Sequence, residues 1–151
     1  MLTVIPLVLA AILTVSPAQG PDTSMMRPIN LLRTAMERFN KDIPGDVFAA
    51  SGSTIVDNFP PYLFDGAGAQ KRWWLGFKAH AHAGNLAKLH ASFGAPHDFD
   101  RSVERVFFAL PTTWTGFSHG KRFTERGGWA FVLVREPMGW RIKSYAWAVT
   151  Y

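Results

Sequence analysis

The chain of 151 residues contains no cysteine, which excludes disulfide bonds and thiolate metal sites. Charged residues make up only 18% of it. Lys and Arg number 16 against 11 Asp and Glu, a net charge of +5, yet nowhere do more than two basic residues follow one another. Nucleic-acid binders gather Lys and Arg in one run or on one face. A scattered surplus instead favours solubility and weak attraction to acidic surfaces, and no nucleic-acid partner is expected. Gly66-Ala67-Gly68 lacks the Lys-Ser/Thr ending of a phosphate loop, and neither a nucleophile elbow nor a Ser–His–Asp pattern is present. Repeats and domain linkers are absent too.

What is there is apolar and aromatic, at 48% and 14%, enough for one well-filled core. The first eighteen residues, MLTVIPLVLAAILTVSPA, carry no charge. Ser16-Pro17-Ala18 places small residues at the −3 and −1 positions of a signal-peptidase site. The run is short for a membrane span and holds Pro6. The reading is a signal peptide over 1–18, a leader over 19–29 and one domain over 30–151, exported to the periplasm or medium with no stable membrane anchor after cleavage.

Along the domain, Pro28 suits a first helical turn. Leu32, Ala35, Met36, Phe39 and Ile43 then share a helix face that runs to Pro44. Asp46 to Ala50 fits a short second helix, and Thr54 to Phe59 a strand stopped by Pro60-Pro61. Asp65 can cap a third helix from Ala67 to about His82, with Ala69, Trp73, Phe77 and Ala81 stacked at i+4. Four strands follow, over Lys88–Asp100, Arg105–Ser118, Phe123–Arg135 and Trp140–Tyr151, parted by turn residues at His119-Gly120 and Pro137-Met138-Gly139. That order, α-α-β-α-β-β-β-β, is an α+β meander. Trp129, Phe131 and Leu133 share one strand parity while Ala130, Val132 and Val134 share the other. Both sheet faces therefore need a cover: helices on one side, a second subunit on the other.

The succession closing on STIVDNFPP, AGAQKRWWLGF and GGWAFVLVREPMGWRIKSYAWA resembles the nuclear transport factor 2-like superfamily, most closely its SnoaL-like and ketosteroid-isomerase-like branches. The resemblance covers about Asn30 to Tyr151. It implies a cystatin-like cone, a strongly curved antiparallel sheet around the helices with a pocket at the open end, and frequent dimers through the sheet. Isomerases, dehydratases, cyclases and non-catalytic modules share this fold, so it does not by itself assign an activity.

Asp57 shares strand parity with Ile55 and Phe59. A carboxyl on an apolar face gains proton affinity, which suits a general base, and its place resembles that of the base aspartate in ketosteroid isomerase. The alternative is a structural acceptor of backbone N–H groups at the strand end. The isomerase also draws oxyanion donors from a first-helix tyrosine and a late-strand acid. Here Thr34 or Leu31 stands nearest the former, and GGWAFVLV offers no acid. His97 shares parity with Phe93 and Phe99 and is the candidate partner of Asp57, unless a bulge at Gly94 or Pro96 turns it to the surface. His80 and His82 are two apart on a helix and face different ways, so no metal site is expected, and no cofactor either. Phe59, Tyr62, Trp73, Phe77, Trp114 and Trp147 are the candidate lining of a pocket for a small apolar or carbonyl-bearing ligand. The function read here is small-molecule binding. Its alternatives are a lyase, isomerase or cyclase using Asp57 with His97 or water, and a non-catalytic dimerisation or accessory module.

Overall fold

A computed structural model describes residues 20–150; the expected signal peptide, Met1 to Ala18, lies outside them. Helix α1 spans Thr23–Arg38. Asp22 sets its start, accepting hydrogen bonds from the backbone N–H groups of Ser24 (2.9 Å) and Met25 (3.1 Å). The helix thus begins inside the stretch read as a leader, and Pro28 sits within it rather than in its first turn. It stops earlier than the periodicity implied, because Phe39 turns to a positive φ of 26°. Ile43 still packs on the core, but from the connecting loop.

The second helix expected over Asp46 to Ala50 does not form. Five residues cannot nucleate a helix alone, and these instead lie along the last strand. Phe48 bridges Ile142 in parallel, the Ala49 N–H donates to Ile142 O (3.0 Å), and the Ile142 N–H donates to Val47 O (2.9 Å). Strand β1 (Thr54–Val56) is followed by β2 (Leu63–Phe64), a short strand beyond the Pro60-Pro61 stop that pairs antiparallel with β1. Helix α2 spans Ala69–Ala83 and starts on left-handed Gly68. Asp65 does not cap it; its carboxylate accepts from the Thr54 hydroxyl at 2.6 Å.

The remaining strands are β3 (Ala87–Phe93), β4 (His97–Arg101), β5 (Arg105–Ser118), β6 (Lys121–Glu136) and β7 (Gly139–Val149). The first of the four expected strands is therefore two. Strands β5 and β6 form a long hairpin closed by His119 (φ 49°) and Gly120 (φ 76°), the positive pair that a two-residue turn matched to strand twist requires. The sheet runs β2-β1-β7-β6-β5-β3, with β4 also on β5. It is mixed, not purely antiparallel, because β1 lies parallel to β7.

Curvature comes from irregular register. Shifts fall between Ala87 and His90, between His97 and Asp100, and between Val132 and Leu133 on β6. Lys88 and Asp98 sit at two of them with positive φ, and an extra residue in one strand bends and twists it. The result is a curved seven-stranded sheet with two helices packed on its inner face, an α+β cone. Met25, Ile29, Leu32 and Met36 of α1 and Ala69, Trp73 and Phe77 of α2 meet Phe108, Trp129, Phe131 and Tyr145 in the core. Each large side chain buried there contributes about 1.5–3 kcal/mol. The outer face keeps an apolar row in register across four strands, Val56, Ala146, Ala130 and Ala109, beside an exposed Phe107. Among the described residues, no helix is long and apolar enough to cross a membrane.

Candidate functional site

Alternating burial from Ser53 through Phe59 continues past the end of β1, so Asp57 lies on the inner side with Ile55 and Phe59. Its exposure is 7%. Three donors hold the carboxylate. The Trp73 indole N–H and the Tyr145 hydroxyl both reach Oδ2 at 2.7 Å. The Asn58 backbone N–H reaches Oδ1 at 2.8 Å. Asp57 thereby ties the end of β1 to α2 and to β7. Burial pushes its pKa up from the ordinary aspartate value, against the lowering effect of Tyr145, Trp73 and Asn58. Tyr145 is raised well above its usual value by burial and by the Asp57 charge, so it stays protonated and remains a donor.

The presence of Tyr145 at the site follows from one extra residue. On β7, Trp140 and Ile142 face inward, and the register shift opposite Val132 and Leu133 leaves Lys143 unpaired. Beyond it the inward positions become Tyr145 and Trp147. Simple alternation from Trp140 turns both Tyr145 and Trp147 outward; parity with Trp147, a candidate lining residue, was the signal for Tyr145.

Asp57 opens onto a cavity of about 340 Å³. Trp114, Trp129, Trp147, Phe59 and Phe77 form its walls, Met36 and Leu89 complete them, and His80, Leu86, Ser118 and Phe123 surround its mouth. His80 is exposed there and stacks on Phe59, ring centroids 5.4 Å apart at 18°. Glu125 also lines the cavity. Burial and the Asp57 charge raise its proton affinity, while the Trp147 indole and His80 lower it. Glu125 stands on β6 just before the GGWAFVLV run. Its parity with Trp129 and Phe131 on β6 was the available signal. Residue 127 has no room for a side chain: a Cβ there would collide with the Ala148 carbonyl oxygen and fall 2.5 Å from the Trp147 indole Cη2.

Of the residues singled out in the sequence, Asp57, Phe59, Phe77, Trp114 and Trp147 come together at the cavity. Trp73 is fully buried behind it, acting through its bond to Asp57. Tyr62 is 57% exposed and lies away from it. His97 is not brought to Asp57. The shift at Asp98 breaks its parity with Phe99, and His97 pairs with Ala109 on the outer side of β4. The histidine that lines the cavity is His80. Among the described residues, no cluster of three or more His, Asp or Glu side chains is placed to hold a metal ion.

Because folded Asp57 binds its proton more tightly than the unfolded chain does, its contribution to stability is greatest at acid pH. That contribution is lost as pH rises through its raised pKa. Asp57→Asn keeps the shape but turns one acceptor oxygen into a donor among three donors. Urea denaturation should show it destabilised by about 1–3 kcal/mol, with the deficit largest at acid pH and shrinking as pH rises. A variant as stable as wild type, or a deficit that grows with pH, would contradict this geometry.

No protein-family model matches the sequence, and no curated protein does. Solved structures do match in shape. A nuclear transport factor 2-like superfamily protein from Salmonella enterica serovar Typhimurium superposes with a TM-score of 0.68 at 15% identity, over 83% of this chain and 88% of that one. A candidate ketosteroid isomerase from Shewanella frigidimarina gives 0.64 at 16%, over 84% and 96%. The CaMKII hub of S. rosetta gives 0.65 at 13%, over 89% and 100%. Likeness at such identities is a likeness of architecture, and on it the chain has the nuclear transport factor 2-like fold.

Proposed function

We propose that the protein is a small-molecule-binding domain and that the cavity over Asp57 is its site. One observation carries this reading: an aromatic-walled space of about 340 Å³ with a desolvated, firmly held carboxyl at its base. Ligand pockets are built this way, mostly apolar with a few fixed polar groups. Names of similar structures lend support, since they include a candidate dehydratase and a candidate aromatic ring hydroxylase. Proton transfer is a second reading, favoured by two carboxyls of raised proton affinity sharing one cavity with His80 at its mouth. Trp114, Trp129 and Trp147 serve as built-in reporters. A panel of one- and two-ring compounds, some bearing carbonyls, should change tryptophan emission saturably, and Leu89→Trp, which fills the space, should abolish the change. Binding that survives the filled cavity would move the site elsewhere. Under the second reading, bound carbonyl compounds exchange α-protons in D2O, and Asp57→Asn slows that exchange by about 10²–10⁴-fold.

The apolar outer face supports assembly as two copies paired through their sheets. Val56, Ala146, Ala130 and Ala109 present small side chains in one row across four strands, with Phe107 and Val56 each 41% exposed. Such a face is self-complementary about a two-fold axis. Light scattering at micromolar concentration should return twice the chain mass, and Ala130→Arg should return the single mass with the fold intact. A single mass for the unaltered protein would remove the pairing.

A further inference from the structure

We infer that the cavity selects an organic cation, a compact ammonium-bearing molecule with an apolar body, over neutral or anionic molecules of the same shape. This rests on the binding reading above and narrows it. The chain as a whole has a basic surplus of 16 Lys and Arg against 11 Asp and Glu. Among the described residues, however, no Lys or Arg lines the cavity. The ionisable groups at its surface are the carboxyls of Asp57 and Glu125 and, at the mouth, the imidazole of His80. A basic protein has thus kept fixed positive charge out of this aromatic-walled cavity while placing two acids there.

The walls point the same way. Trp114, Trp129, Trp147 and Phe59 line the space, and the negative face of an aromatic ring attracts a cation, most strongly for tryptophan and when water is displaced. Asp57 and Glu125 line the same cavity, and the Asp57 charge adds to burial in raising the proton affinity of Glu125. A cation placed between them relieves both that repulsion and the cost of holding ionised carboxyls out of water. A neutral ligand relieves neither, and an anion adds to both. Tyr145 cannot supply compensating positive charge, since its hydroxyl is neutral and already committed to Asp57. Size sets the remaining limit. At roughly 30 Å³ for each water-sized group, a space of about 340 Å³ holds on the order of ten non-hydrogen atoms.

Three probes of that size separate the possibilities. Benzyltrimethylammonium carries a charge independent of pH, neopentylbenzene is its uncharged carbon isostere, and phenylacetate is anionic. Titrated into the full chain and followed by tryptophan emission and calorimetry at pH 7, the ammonium compound should bind at least about ten-fold more tightly than its isostere, and phenylacetate most weakly. Its affinity should fall toward acid pH as Asp57 and Glu125 take up protons, while that of the isostere stays level. Glu125→Gln should weaken the ammonium compound by about ten-fold, the factor that 1.4 kcal/mol gives, and leave the isostere unchanged. The pH series on the unaltered protein tests the same point should that variant not fold. Equal affinity for the isostere, or tighter binding of phenylacetate, overturns the cation preference and leaves the binding reading standing. If none of the three binds at millimolar concentration while larger neutral compounds do, the cavity is a site of another class and this inference fails alone. If nothing binds, both fail.

Discussion

One carboxylate oxygen joins three elements that are far apart in the chain. Oδ2 of Asp57 accepts from Trp73 on α2 and from Tyr145 on β7, while its own backbone continues β1. Hydrogen bonds to a charged group contribute about 1.5–3 kcal/mol each, and here they also fix geometry. The Trp73 ring, fully buried, meets Tyr145 edge-on at 5.5 Å and stacks on Phe77 at 5.8 Å. The helix is thus seated on the sheet by the same contact that positions the acid. Remove the carboxylate and two buried donors lose their acceptor at the centre of the core. Keep it, and a group that resists ionisation is held at the edge of a cavity. A single side chain thus belongs both to the core packing and to the cavity lining.

Much of this was legible from residue order. The apolar stripe of α1, the i+4 stack of α2, the β5–β6 hairpin with its His119-Gly120 turn, and the inward placement of Asp57 with Ile55 and Phe59 all follow periodicity that the chain obeys. Two departures from simple alternation share one cause. Wherever a strand gains a residue, alternation reverses. Lys143 brings Tyr145 inward, and the irregularity at Asp98 sends His97 outward. Bulges leave little trace in composition, since the positive φ they impose fell here on Lys88 and Asp98 rather than on glycine. The segment Asp46 to Ala50 misled for another reason: its pairing with β7 is a long-range contact that no local pattern announces. Glu125 was different again, being readable by parity from Trp129 and simply outside the run that drew attention.

The architecture is shared with proteins whose names span a candidate isomerase, a candidate dehydratase and a kinase hub, so the site and not the fold has to carry the function. This site brings three tryptophans and two carboxyls to one cavity. The hydroxyl donor to Asp57 comes from β7 and the second acid from β6, and neither is supplied by the first helix. The same acid that anchors the core supplies the polarity of the cavity, which makes its protonation state the quantity on which both the packing and the binding account depend.

That state can be read directly. The side-chain carboxyl of Asp57, labelled with carbon-13 and assigned by its absence in Asp57→Asn, can be followed by NMR across the acid range in wild type and in Tyr145→Phe. The account predicts titration above the ordinary aspartate value of 3.8 in the wild type, and a further rise when the Tyr145 hydroxyl is removed. Titration at or below that value, or a pKa unmoved by the loss of Tyr145, would contradict it.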